Sequence, residues 1–127
     1  MTVGDDAGTV LAMSIERIEV GPRMSSAVVH NGIVRMAGVV ADDPTANVKG
    51  QTEQILATID RVLALAGSDK TKILKANIWL SNIAEFPQMN EAWDAWVPAG
   101  HTPARATVES RLASPHLLVE IMVEAAV

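Results

Sequence analysis

The chain has no cysteine, no tyrosine and a single phenylalanine. Without cysteine there is no disulfide, no thiolate nucleophile and no zinc–sulfur site. Without tyrosine no phenol is available to any site. Cations are also scarce: 10 Lys and Arg stand against 15 Asp and Glu, a formal charge of −5, and they form no run. A nucleic-acid footprint or an anionic membrane surface needs clustered cations, so neither partner is expected. No apolar run approaches the ~20 residues of a membrane span. The opening stretch, MTVGDDAGTVLA, carries two acids and no early Lys or Arg, unlike a signal peptide. Residues 1–13 are expected to form a flexible tail, and 14–127 a single domain. A reducing, cytoplasmic setting fits.

Familiar catalytic and ligand patterns are missing too. There is no G-x-S-x-G nucleophile elbow. "AGSDKTK" lacks the spacing of a phosphate-binding loop. His30, His101 and His116 share no metal-ligand spacing and are expected to face solvent. No metal or cofactor is expected. Lys70, Lys72 and Lys75 are diluted by Asp69 and read as a solvated face.

What is present is a well-patterned core. Hydrophobic residues make up 49% of 127, enough for one globular domain. "SIERIEV" alternates as a strand, with its phase slipping at Arg17. "AVVHNGIVRMAGVV" reads as two strands around Asn31-Gly32, the strongest short hairpin signal. "ADDPTAN" is a loop in which Asn47 or Thr45 can cap the next element. Ile55, Leu56, Ile59, Val62, Leu63 and Ala66 then recur at helical spacing, and Gly67 stands where a helix C′ residue belongs. "KILKANIWLS" is a strand. "IAEFPQMNEAWDAWV" is a second helix, with Phe86, Met89, Trp93, Trp96 and Val97 on one face, a stripe read as core or subunit contact. "ARATVES" and "LLVEIMVEAAV" are strands. The order β-β-β-α-β-α-β-β predicts an α+β domain with two helices on one face of a mixed sheet. In the last strand Leu118, Glu120, Met122 and Glu124 share one face, and Leu117, Val119, Ile121 and Val123 the other. Two buried-looking faces predict that the second packs against another subunit around a rotation axis.

One residue resists the pattern. "HTPARATVE" sets Arg105 in a strand among alanine, threonine and valine. A guanidinium in apolar surroundings needs a carboxylate or phosphate partner. Two readings stand. Arg105 forms a structural ion pair with Glu109, Glu120 or Glu124, within the chain or across a subunit boundary, or it clamps the carboxylate of a ligand, which a guanidinium binds bidentately.

The stretches "GPRMSSAVVHNG", "VRMAGVV", "AGSDKTKILKANIWLSNIAEFPQMNEAW", "PARATVE" and "LVEIMVEAA", in this order, resemble the Rid family, also called the YjgF family, and within it the YoaB-like branch. The likeness runs from residue 21 to 127. It implies a chorismate-mutase-like subunit and a homotrimer whose three sheets form an inner barrel, with clefts at the subunit interfaces. Active members hydrolyse 2-enamines and 2-imines of amino acids to 2-keto acids and ammonia. The resemblance assigns the carboxylate clamp to Arg105 and backbone contacts to Ala37 and Gly38. It assigns the placing of water to the carbonyl of Thr107. Two positions depart from it. Met122 stands where deaminases carry a water-handling glutamate, leaving Glu120 as a stand-in acid–base. "GPRMSS" replaces "GPYS", so Arg23 and Met24 occupy the place of a tyrosine. A thioether cannot accept a proton at neutral pH. The implied function is weak or specialised imine deamination. The alternative is a non-catalytic trimer that binds small carboxylates such as 2-keto acids. Ribonuclease activity, a label attached to the family, is disfavoured by the acidic charge.

Overall fold

The computed structural model describes residues 14–127, so the tail expected over 1–13 lies outside them. Strand β1 (Glu16–Val20) pairs antiparallel with β2 (Ser25–His30), and β2 with β3 (Ile33–Met36). Asn31 (φ 51°) and Gly32 (φ 77°) turn the second hairpin. Both are left-handed, which a type I′ turn requires and Asn-Gly supplies at least cost.

Helix α1 (Val48–Leu65) starts at Asn47, whose side chain accepts the Gly50 N–H at 2.8 Å. Thr45 instead turns its hydroxyl to Asp43, at 2.6 Å. Gly67, at φ 80°, ends the helix where the pattern placed it. Strand β4 (Ile73–Leu80) follows, then α2 (Phe86–Trp96), which takes Pro87 in its first turn, where a missing N–H costs nothing. Strand β5 (Ala104–Glu109) runs parallel to β4. Strand β6 (Val119–Ala126) inserts antiparallel between β3 and β4, giving the sheet order β1-β2-β3-β6-β4-β5.

Both helices cover one face of this mixed sheet. Val119, Ile121, Val123 and Ala125 of β6 are buried there, against Ile55, Leu56, Ile59 and Leu63 of α1. Each valine, leucine and isoleucine side chain among them stabilises the fold by about 1.5–3 kcal/mol. Glu120, Met122 and Glu124, on the opposite face, are only half-buried. Gln51 is fully buried on the same stripe of α1. Its amide donates to the carbonyls of Pro44, Ala46 and His116 and accepts the Leu118 N–H, tying two loops to the helix.

Strand β1 is less regular than its alternation predicts. Only Ile18 is buried; Ile15 is 50% and Val20 67% exposed. Glu19 adopts φ 53°, an unusual conformation for a long side chain. Ser26 Oγ (2.7 Å) and Arg61 (2.5 Å) both donate to its carboxylate and hold it. Of the histidines, His30 is half-buried rather than solvent-facing, its Nδ1 lying 3.0 Å from the Ser14 carbonyl. Among the described residues no helix is long and apolar enough to cross a membrane.

Candidate functional site

The register of β5 decides where Arg105 points. Arg105 lies beside Ala76 and Thr107 beside Ile78. Ala76 and Ile78 are buried under the helices, so Arg105 and Thr107 face the same side. Above them, Phe86, Asn90 and Trp93 of α2 step by four and three and therefore share one helix face. The guanidinium carbon lies 5.6 Å from the Phe86 ring centroid and 5.2 Å from that of Trp93. Nη1 donates to Asn90 Oδ1 at 2.9 Å. Two aromatic walls and one neutral amide thus hold the cation.

Among the described residues no carboxylate forms a salt bridge with it. Glu109 accepts the Ile83 N–H at 3.0 Å, and Glu120 and Glu124 lie on the other face of the sheet. The ion pair with one of these glutamates does not form within the protomer. Burial is the main influence on the Arg105 pKa and lowers it, while the Asp94 charge works the other way. A guanidinium titrates so high that it stays charged regardless. What burial creates is a partly desolvated cation without a salt bridge among the described residues, and an anion placed beside it would offset that cost. Beside it, the buried hydroxyl oxygen of Thr107 has no hydrogen-bond partner.

A second group of residues gathers beyond β3. Val39 exchanges two backbone hydrogen bonds with Ile121 (2.8 and 3.1 Å), which lays the 37–40 segment along β6. A side chain at Gly38 would overlap the Glu120 carboxylate, so the glycine leaves room for that acid against its backbone. The Ala37 N–H donates to the Ser26 carbonyl at 2.9 Å. Met24, Ala37 and Gly38 line a cavity of about 260 Å³ with Thr58 and Arg61. Met122 lies opposite Asn77 and lines a separate recess with Arg35, Lys75 and Glu124.

The expected site residues therefore form two groups. Arg105 and Thr107 sit under α2 on the edge strand. Met24, Ala37, Gly38, Glu120 and Met122 belong to the β3–β6 side. Strand β4 separates β5 from β6, so those two strands stand about 10 Å apart, and the Glu120 and Met122 side chains leave the face opposite to that of Arg105 and Thr107. One copy of the chain does not bring the two groups together. Asn90 is the partner that sequence reasoning missed. Its one signal is its spacing, four residues after Phe86 and three before Trp93.

The family described as "Endoribonuclease L-PSP" matches residues 14–127. The chain is 45% identical over 115 residues to RutC family protein YoaB of Escherichia coli, covering 91% of this chain and 100% of that one. It superposes with a TM-score of 0.88 and 45% identity on the crystal structure of NMB1025, a YjgF protein family member from Neisseria meningitidis, over 91% of this chain and 96% of that one. It is also 32% identical over 91 residues to Reactive Intermediate Deaminase A, chloroplastic, of Arabidopsis thaliana, covering 67% of this chain and 48% of that protein. The sheet order, the helices on one face and these similarities lead to one assignment: the chain belongs to the Endoribonuclease L-PSP family, that of the Rid or YjgF proteins.

Proposed function

We propose that this protein is a cytoplasmic homotrimer that hydrolyses 2-imino and 2-enamino acids, slowly, to 2-keto acids and ammonia. The observation that carries the reading is Arg105: a partly desolvated guanidinium, fixed by Asn90, Phe86 and Trp93 and lacking a carboxylate of its own. The similarity to the Arabidopsis deaminase supplies the chemistry. In a trimer, Arg105 and Thr107 of one subunit meet Met24, Ala37, Gly38 and Glu120 of the next at the interface, which joins the two groups.

The steps follow from the residues. Arg105 clamps the substrate carboxylate bidentately and so orients the adjacent C=N carbon. The Thr107 carbonyl accepts a hydrogen bond from water and directs it to that carbon. The imine nitrogen takes up a proton, the water oxygen bonds to carbon, and Glu120 accepts the proton that the water releases. Glu120 then returns that proton to the carbinolamine nitrogen, the C–N bond breaks with its electron pair leaving on ammonia, and the hydroxyl proton passes to solvent to give the keto acid. A protonated imine is already a strong electrophile, so modest catalysis suffices.

Met122 favours a second reading, a trimer that binds 2-keto acids without turnover. Glu120 stands two residues from it, about 6.6 Å along the strand, and packs at Gly38. Losing one general base costs about 10²–10⁴-fold. The test uses an amino-acid oxidase to generate imines from several L-amino acids, with semicarbazide trapping what escapes. Wild type should speed imine loss and Arg105→Ala should not. Met122→Glu should raise the rate, by up to about 10²-fold. No acceleration by wild type with any imine would leave binding as the function.

A further inference from the structure

Met24 and Ala37 line a second cavity as well, of about 530 Å³, where β1, the 21–24 turn and the β2–β3 hairpin meet. Its charged lining is three arginines, Arg17, Arg23 and Arg35, with no acidic residue. Arg17 and Arg35 both stand opposite Val28, one from each neighbouring strand, so they rise from the same face about 10 Å apart. Arg23 approaches from the turn closed by the Gly21 N–H on the Met24 carbonyl, at 2.8 Å.

None of the three has a salt bridge among the described residues, where the ion pairs are Lys49–Glu91 and Arg61–Glu19. Glu124 is the cross-strand neighbour of Arg35 but forms no salt bridge with it and does not line this cavity. In a chain of net charge −5, three unneutralised guanidiniums around one space repel one another, and an anion relieves that repulsion. No aromatic side chain lines the cavity to stack a base, and the rest of the chain is acidic, so a nucleic acid fits poorly.

We infer that this cavity receives a second carboxylate, so that the ligands of the site are imino and keto acids with an anionic side chain. The inference rests on the reading of Arg105 as the clamp for the first carboxylate. Only aspartate and glutamate among the common amino acids carry a side chain that is anionic at neutral pH. Their imines, and the 2-keto dicarboxylates these yield, are the substrates and products expected. Guanidinium matches a carboxylate with two parallel hydrogen bonds, which gives selection as well as affinity.

Calorimetric titration of the full chain with 2-ketoglutarate and with 2-ketobutyrate tests this. The readout is the ratio of the two affinities in wild type, in the double variant Arg23→Gln/Arg35→Gln, and in Arg105→Ala. All three substituted side chains are at least partly exposed, and circular dichroism checks that each variant folds. Wild type should prefer 2-ketoglutarate by about tenfold or more, as a charged hydrogen-bonded contact predicts. The ratio should fall toward one in the double variant, and Arg105→Ala should weaken both ligands together.

Equal affinities in wild type, or a preference that survives the double substitution, would overturn the inference. If binding then still needs Arg105, the clamp stands alone. A 2-ketoglutarate preference that needs Arg23 and Arg35 but not Arg105 would instead keep the arginine cavity and remove the clamp. If neither keto acid binds, both fall. Salt-sensitive binding of a ten-nucleotide single-stranded RNA without 2-ketoglutarate binding would overturn the inference in favour of nucleic acid.

Discussion

At Gly38 the missing side chain is what the neighbouring acid depends on. Its backbone is not left-handed, so alanine is tolerated by conformation, but a Cβ would overlap the Glu120 carboxylate. The carboxylate is the end of a flexible side chain and can swing aside. Gly38→Ala should therefore change the melting temperature by no more than about 2 °C while moving the acid. Imine hydrolysis in that variant should fall about tenfold or more if Glu120 handles the proton. A rate equal to wild type would remove Glu120 from the mechanism. Glu19 acts on stability instead. Hydrogen bonds from Arg61 first, then Ser26, hold its carboxyl below the usual carboxylate range. A depressed folded pKa means that the contribution is complete above the ordinary carboxylate pKa and is lost as pH falls through the folded value. Urea midpoints measured from pH 7 down to pH 3 should drop less in Glu19→Gln than in wild type. The remaining drop includes Asp43 and Asp69, which hydrogen bonds from Thr45 and Thr71 depress in the same way.

The elements show where periodicity informs and where it stops. The stripe from Ile55 to Leu63, the Asn31-Gly32 turn and Gly67 were legible because each is a local pattern with a local cause. Gln51 and Thr52 continue the stripe one turn earlier and are equally buried, yet a search for apolar residues passes over them. A polar residue on a buried stripe was the available signal. Gln51 serves three carbonyls and one N–H across 67 residues of sequence, and no local rule encodes such a span. Gln51→Leu should cost about 2–3 kcal/mol in urea unfolding, because those backbone groups lose their partner while still buried. In β1 the alternation misled for a different reason: Val20 keeps its register opposite Ser25, yet it ends the strand just after the left-handed Glu19 and stays 67% exposed. The setting of Arg105 was half legible. Its strand and its isolation were evident, but Asn90 comes from another element and became visible only with α2 in place.

For the whole molecule, strand order matters more than any single strand. β6 lies between β3 and β4, and pairing sets Arg105 beside Ala76 but Glu120 opposite Trp79, so the two, both on late strands, end on opposite faces. The sequence revealed the two faces of β6 but not which site residues would share one, since that depends on pairing between distant segments. Sedimentation should give about three times the mass of the chain if copies join to complete the site. The separation has a genetic consequence. If copies join in the proposed trimer, Arg105→Ala damages one side of a cleft and Gly38→Ala the other, so the two lesions lie in different contributions to the same interface. Chains of the two kinds, unfolded and refolded together, should complement each other. With random mixing at equal amounts, about a quarter of the clefts would receive an intact half from each parent. Two preparations that are each nearly inactive would then gain activity on co-assembly, and a chain that works alone would show no such rescue.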